Sequence, residues 1–385
     1  MTVLILSLVL LIPYLLLIAY YRRAWVQIRP FVPDQRVAPS TTVTVVIAAR
    51  NEAKNIGACL DSILQQKYPA ELFEIIVVDD HSGDATAEIV RSYDQKNVRL
   101  ISLGDLTAGA VLNSYKKKAI ATAIAQAWGS LIVTTDADCL VTEGWLATIV
   151  AFYQETQAVF IAAPVVFSQG GQKAGSATGL LQRFQSLDFM TLQGITGASV
   201  EKKIHNMCNG ANLAYPKKVF FEVDGFTGID GVASGDDMLL MHKVQQRYPL
   251  QIRYLKSAAA IVTTQPAATL GEFFNQRIRW ASKADKYPDS KITGVLVLVY
   301  LFNAWLLYLA AAAVFSKHAL YLFLAVLAVK TAVELLFLWP VSTFFGRKKL
   351  LWSFIPCEPF HIIYILVAGW LGKFGSYTWK DRKVS

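Results

Sequence analysis

LIVTTDADC, residues 131–139, is an apolar, β-branched run that ends abruptly in two carboxylates, Asp136 and Asp138. An apolar run of this length, bounded by polar residues, fits a strand buried on both faces, as in parallel α/β sheets. Ligands of open α/β sheets bind beyond the carboxyl ends of strands, which is where this Asp-Ala-Asp falls. Two hard oxygen ligands on a tight turn suit Mg2+ or Mn2+ carried in with a substrate diphosphate. The competing reading is an acidic turn residue that caps the next helix.

Working outward, earlier stretches repeat the pattern. In TVTVVIAARNE a β-branched strand, Val43 to Ile47, ends in Arg50-Asn51-Glu52; in FEIIVVDDHSGDAT a second, Ile75 to Val78, ends in Asp79 and Asp80. Between them Ile56, Cys59, Leu60, Ile63 and Leu64 fall at helical spacing before Tyr68-Pro69. Ser82 to Thr86 start another helix, Val98 to Ile101 make a third strand, and Lys116-Lys117-Lys118 precede a helix over Ala119 to Trp128. This alternation predicts an α/β fold with a mostly parallel sheet and helices on both faces.

From about residue 150 to 290 the pattern is less regular. The expectations are a strand over Val159 to Val166, an amphipathic, weakly charged stretch over 177–198 on a membrane surface, and a turn at Gly210 before a strand. A helix over Ser234 to Tyr248, capped by Ser234, carries Asp236 and Asp237 in its first turn. A strand over Ala258 to Thr263 and a helix over Leu270 to Lys286, stopped by Pro288 and containing QRIRW, complete the block.

The chain has 385 residues, room for two or more compact units, and is 54% hydrophobic with a mean hydropathy of +0.38. The excess lies at the two ends. Residues 2–20 carry no charge and are long enough to span a bilayer, with a bend expected near Pro13. Charges follow this run rather than precede it, unlike a signal peptide, so Tyr20 to Arg23 read as a cytoplasmic anchor. Residues 293–315 and 319–339 form two more candidate spans, which place Arg347-Lys348-Lys349 inside. A third stretch, 351–371, holds Pro356, Glu358 and Pro359 and either spans or is re-entrant. Lys330 and Glu334 lie mid-span, four apart on one helix face, where they pair structurally or mark a functional site.

The net charge of +9 comes from basic residues that flank the apolar runs, which argues for a membrane and against nucleic acid. The four cysteines have no paired spacing and read as free thiols in a reducing compartment.

Any one acidic pair has a structural explanation; the ordered set does not. VVIAARNE, VVDDHSGDAT, the KKKAI stretch, TTDADC, SGDD and QRIRW, over roughly Val43 to Trp280, make the chain resemble membrane-bound glycosyltransferase family 2. That family includes the cellulose, chitin and hyaluronan synthases, and ceramide glucosyltransferase has a similar signature. The resemblance implies a GT-A (nucleotide-diphospho-sugar transferase) domain with transmembrane helices at both ends. It divides the chain into an N-terminal helix (1–23), a cytoplasmic GT-A domain (24–290), a C-terminal membrane region (291–372) and a basic tail (373–385). It places the protein in the inner (plasma) membrane as a multi-pass enzyme.

Site roles follow from the same resemblance. Asp79 and Asp80 face the uridine of a UDP-sugar, with Ala48, Arg50 and Glu52 on the opposite wall. Asp136 and Asp138 match the family's DxD, Asp138 being the direct ligand of a divalent cation, Mg2+ or Mn2+. Lys116 and Lys117 approach the donor, although Tyr115 stands where the family usually has Gly. Asp237 aligns with the general base, and Asp236 beside it raises the pair's apparent pKa as a neighbouring like charge. Gln276, Arg279 and Trp280 match QxxRW: Arg279 complements diphosphate charge, and Trp280 offers a flat apolar face to the acceptor.

The expected reaction is an inverting transfer of a hexose or N-acetylhexosamine to a lipid-linked or growing glycan acceptor. With no second carboxylate assignable as a covalent nucleophile, one displacement is favoured over two. The alternatives are a processive exopolysaccharide synthase, with partner subunits of a glycan-export system, and a non-catalytic membrane scaffold of the same fold.

Overall fold

The computed structural model describes residues 1–34, 39–93, 97–107, 113–169, 177–283, 290–375, 377–379 and 382–384. In chain order the first half holds α1 (Thr2–Gln27), β1 (Val43–Ala49), α2 (Ile56–Leu64), β2 (Phe73–Asp79), α3 (Thr86–Arg91), β3 (Val98–Ser102) and α4 (Leu103–Thr107). Next come α5 (Tyr115–Gln126), β4 (Leu131–Asp136), α6 (Trp145–Thr156), β5 (Phe160–Ala162), β6 (Val165–Phe167) and α7 (Ala177–Lys202). The second half holds β7 (Leu213–Pro216), α8 (Lys217–Glu222), α9 (Asp236–Arg247), β8 (Ile252–Tyr254), β9 (Val262–Thr264) and α10 (Leu270–Ala281). It ends in α11 (Ser290–Ala313), α12 (Lys317–Phe344), α13 (Phe354–Phe374), β10 (Tyr377–Trp379) and β11 (Arg382–Val384).

These elements form two compact units, each assembled from separated pieces of chain. One comprises Arg29–Ser168 and Asn206–Gln265; the other comprises Met1–Ile28, Gln169–His205 and Pro266–Ser385. Residues 169–205 and 266–290, read in the sequence within the middle block, thus group with the apolar ends.

The first unit is built on a seven-stranded sheet in the order β3-β2-β1-β4-β7-β5-β8. The strands β3, β2, β1 and β4 are parallel, and β1, β2 and β4 are buried almost throughout, as their unbroken Val and Ile runs require. Register brings Ala49 beside Asp79 and Ala48 beside Asp136, so the acidic strand ends finish level. The chain runs from β1 outward through β2 to β3 and then returns to β4 on the other side of β1. That reversal is the crevice where open α/β sheets take ligands. Glu74, buried at the far end of β2, accepts from Thr44 Oγ1 at 2.8 Å, Trp128 N at 2.7 Å and Arg99 Nη2 at 3.0 Å.

Several local expectations are corrected. The strand expected over Val159 to Val166 is two, because Pro164 lacks a ladder donor: β5 joins the main sheet and β6 pairs with β9. The strand expected from Ala258 starts at Val262, after a 3-10 turn over Ala258–Ala260. Ser234 does not cap α9; Gly235 does, at φ +77°, a left-handed conformation that glycine adopts without a Cβ penalty. Helix α10 ends at Ala281, and Pro288 lies outside the described residues.

The second unit is helical. Among the described residues four of its segments, Thr2–Gln27, Lys291–Ala313, Lys317–Phe344 and Lys348–Phe374, are long and apolar enough to cross a membrane. The pairing of Lys330 with Glu334 is present at 2.8 Å, and Lys330 also pairs with Glu358 of α13 while Tyr14 of α1 donates to Glu334. Lys330 is wholly buried, so this group ties three helices together in an apolar setting.

The stretch expected on a membrane surface is α7, and neighbouring helices take up its faces. Gly194 lets it approach α12 so closely that a Cβ would stand 2.8 Å from both Phe337 and Val341. Gln185 is held to the backbone of Ala267 through both its amide atoms, each at 2.9 Å. Asp188 pairs with Arg277 of α10 at 2.9 Å and accepts from Tyr364 of α13 at 2.9 Å. Buried polar groups of this kind need partners, and α7 finds them on α10, on α13 and in the backbone just before α10.

Candidate active site

The site grows from the level ends of β1, β2 and β4. The loops after β1 and β2 are laced together by hydrogen bonds. Asn51 N donates to Ser82 Oγ at 3.0 Å, Glu52 N to Thr86 Oγ1 at 2.8 Å, and Ala53 N to Asp84 Oδ2 at 3.0 Å. Arg50 Nη1 donates to the carbonyls of Asp80 at 2.8 Å and His81 at 3.1 Å, so it buttresses the acidic loop. The Glu52 carboxylate accepts from Asn55 Nδ2 at 2.8 Å. Ala48 lies in β1, half-buried.

Asp79 and Asp80 are both buried, and they differ in their partners. Asp79 Oδ2 accepts from Ser82 N at 3.3 Å, while its Oδ1 is buried without a hydrogen-bond partner. An orphan carboxylate oxygen is costly, and a ligand N–H or O–H is the simplest way to satisfy it. Asp80 Oδ1 is 3.0 Å from Nδ1 of His81, a residue the sequence reading did not single out.

At the end of β4, Asp136, Asp138 and Cys139 present one ligand atom each, all within 4.8 Å of one another. Burial, and then the charges of Asp136 and Asp138, push the Cys139 thiol well above its ordinary range. That leaves the two hard carboxylates as a donor set of the kind that suits Mg2+ or Mn2+. Asp138 is steadied by Thr264 Oγ1 at 3.2 Å.

Lys116, in the first turn of α5, links the acidic groups. Its Nζ is 2.8 Å from Asp136 Oδ1 and 3.4 Å from Asp236 Oδ2. Burial alone would lower its pKa, but Asp136, Asp236 and Asp237 together raise it, which keeps the ammonium charged. Lys117 is used differently. It is buried, and its Nζ donates to the carbonyls of Ile229 at 2.8 Å, Val232 at 2.5 Å and Ser234 at 3.1 Å. With three donors on three carbonyls, it holds the loop before α9 and has none left for a substrate.

Asp236 and Asp237 open α9. Asp237 Oδ2 accepts from Gly210 N at 3.0 Å and Oδ1 from Met238 N at 2.7 Å, while Thr134 of β4 donates to the Gly210 carbonyl at 2.9 Å. A chain of contacts thus runs from β4 through Gly210 to α9. The structure gathers Asp136, Asp138, Lys116, Asp236 and Asp237 at one end of the sheet.

Gln276, Arg279 and Trp280 lie on α10 and belong to the other unit. Within QRIRW it is Arg277 that is buried, paired with Asp188 and stacked 4.2 Å over the Trp280 ring. A lone Asp in a long, weakly charged stretch was the one sequence signal for Asp188; nothing local named its partner.

A parallel sheet with paired carboxylates at its crevice is the arrangement of the nucleotide-diphospho-sugar transferases, the GT-A fold. Residues 44–221 match the family described as Glycosyl transferase family 2, so the chain carries a glycosyltransferase family 2 domain and is a transferase. It is 28% identical to Glycosyltransferase AglE of Haloferax volcanii over 62% of this chain and 71% of that protein. It is 27% identical to the probable glycosyltransferase YdaM of Bacillus subtilis over 62% of this chain and 54% of that one. With a poly-beta-1,6-N-acetyl-D-glucosamine synthase of Staphylococcus epidermidis it shares 23% identity over 68% of this chain and 60% of that one. For these last two the chain spans little more than half the relative's length. Among solved structures, a mannosyltransferase from Pyrobaculum calidifontis in complex with GDP-Man and Mn2+ has the same fold. It superposes with a TM-score of 0.59 at 20% identity, over 96% of this chain and 98% of that one.

Proposed function

We propose that the protein is a membrane-bound, inverting glycosyltransferase that moves a hexose or N-acetylhexosamine from a UDP-sugar to a lipid-linked or glycan acceptor at the cytoplasmic membrane face. The observation that carries this reading is the convergence of Asp79, Asp136, Asp138, Lys116, Asp236 and Asp237 at the sheet's reversal point, with Lys116 bridging Asp136 and Asp236.

In this reading the orphan oxygen of Asp79 receives the nucleobase, with Asp80 behind it and the Ala48 to Glu52 loop opposite. Asp138, with Asp136, would hold the divalent cation, which when bound supplies positive charge to the leaving diphosphate. Lys116 adds a second cation beside the diphosphate. The acceptor hydroxyl oxygen attacks the anomeric carbon as the bond to the diphosphate oxygen breaks, and its proton passes to Asp237. Backbone hydrogen bonds from Gly210 and Met238 orient that carboxylate, and Asp236 keeps Lys116 in place. Gln276, Arg279 and Trp280 take the diphosphate and acceptor roles that their motif implies, on the motif alone. The four apolar helices anchor the enzyme, with the Arg22–Arg23 and Arg347–Lys349 flanks inside.

The test is a donor screen of the full chain in detergent, reading released nucleotide diphosphate. Release from a UDP-sugar that stops with EDTA, with Asp138→Ala and with Asp237→Asn supports the reading; full activity in Asp138→Ala overturns it. A product of retained anomeric configuration by NMR excludes inversion. The likeness to a poly-N-acetylglucosamine synthase favours a second reading, a processive polymerase working with export partners. Product size separates them, as a single glycolipid or a polymer ladder.

A further inference from the structure

His81 adopts a left-handed backbone conformation, φ 54°, which is uncommon for a residue with a side chain and is sustained only where the surroundings impose it. Three contacts brace it here. Arg50 holds its carbonyl at 3.1 Å, and Asp80 Oδ1 meets its Nδ1 at 3.0 Å. Tyr115 packs edge-on with the ring centroids 5.6 Å apart. Even so, 38% of the side chain stays open to solvent. A ring so firmly held and still exposed is presented to something.

Its place in the fold says to what. On one side lies the buried end of β2, where Asp79 Oδ1 lacks a partner. On the other, Tyr115 leads directly into Lys116 and its pairs with Asp136 and Asp236. Contacts thus run from Asp80 through the two rings to Lys116, linking the Asp79–Asp80 loop to the groups assigned to the diphosphate.

We propose that His81, braced by Tyr115, selects the nucleobase of the donor: the ring pair fills the space a second purine ring would need and restricts the site to a single-ring base. With Nδ1 engaged by Asp80, Nε2 is the ring's remaining hydrogen-bonding edge. This inference rests on the functional reading above, which assigns the β2 end to the nucleoside.

Calorimetric binding of UDP and of GDP to the full chain in detergent, each with Mn2+, tests it. UDP binds the unaltered protein at least about tenfold more tightly than GDP, and in His81→Gly and Tyr115→Gly the ratio falls to about threefold or less. Glycine suits φ 54°, so His81→Gly keeps the loop; His81→Asn, tolerated there and ringless, repeats the test with a polar side chain. A ratio unchanged in all three variants overturns the selector, as does equal binding of the two nucleotides by the unaltered protein. If UDP binds and Asp79→Asn abolishes it while the ratio stays fixed, the selector alone falls. If neither nucleotide binds the unaltered chain, the functional reading falls with it.

Discussion

The ammonium of Lys116 lies 2.8 Å from the carboxylate of Asp136, the first acid of the Asp-Ala-Asp turn. A fixed cation therefore stands beside the carboxylates that suit a metal, and the two charges compete. Lys116→Met is expected to tighten Mn2+ binding in the absence of nucleotide by about threefold or more, since one repulsive charge is gone. The same change lowers sugar transfer by more than about tenfold, because the diphosphate loses a partner. Free Mn2+ measured by EPR, alongside released nucleotide, checks both; equal losses in both would contradict the competition.

Glu74 concentrates hydrogen bonds at the far end of the sheet. Glu74→Leu leaves Thr44, the Trp128 amide and Arg99 without their acceptor and is expected to cost about 3–5 kcal/mol. A fluorescence-monitored thermal melt of the solubilised chain reads this as a markedly lower midpoint. Glu74→Gln, which keeps an acceptor oxygen, falls by less.

In the helical unit Lys330 pairs with both Glu334 and Glu358. Lys330→Met strands two buried carboxylates and is expected to destabilise the chain by about 3–5 kcal/mol. The triple change Lys330→Met, Glu334→Gln, Glu358→Gln recovers most of that loss because no unpaired charge remains. Yield and melting temperature in detergent distinguish the two; a triple variant as weak as the single would show that charge is not the cause.

Lys256 supplies a pH signature. Burial lowers its pKa from 10.5 to about 8. The unfolded chain therefore holds more protons than the folded chain between roughly pH 8 and 10.5, so stability rises with pH across that window, by up to about 3 kcal/mol. Below it, both states are protonated and the cost of burying the charge is complete. Lys256→Met should flatten the rise, as melts between pH 7.5 and 10 would reveal.

What was legible in the sequence was local. The strands ending in Asp79 and Asp136 announce themselves as unbroken β-branched runs, and Lys330 and Glu334 announce their pairing by a four-residue spacing. What was not legible depends on distant partners. Nothing near Glu358 says that it joins Lys330, and nothing near Lys117 says that its ammonium will face three carbonyls of a loop 112 to 117 residues away. Ser234 looked like a helix cap by residue type, yet the backbone turned one residue later, at glycine. The weak charge of residues 177–198 reads as a membrane-surface stretch, but α7 is buried or half-buried along residues 181–200, and Asp188 finds its partners in helices made much later in the chain.

That last point bears on how the protein can be made and dissected. Helix α7 leaves the ribosome between two pieces of the sheet unit, and its Asp188 must wait 176 residues for Tyr364. A soluble fragment trimmed to the sheet would keep this helix in mid-sequence with its partners deleted, a sticky surface no trimming of the termini removes. Such a fragment needs an internal excision, with a linker joining Ser168 to Asn206.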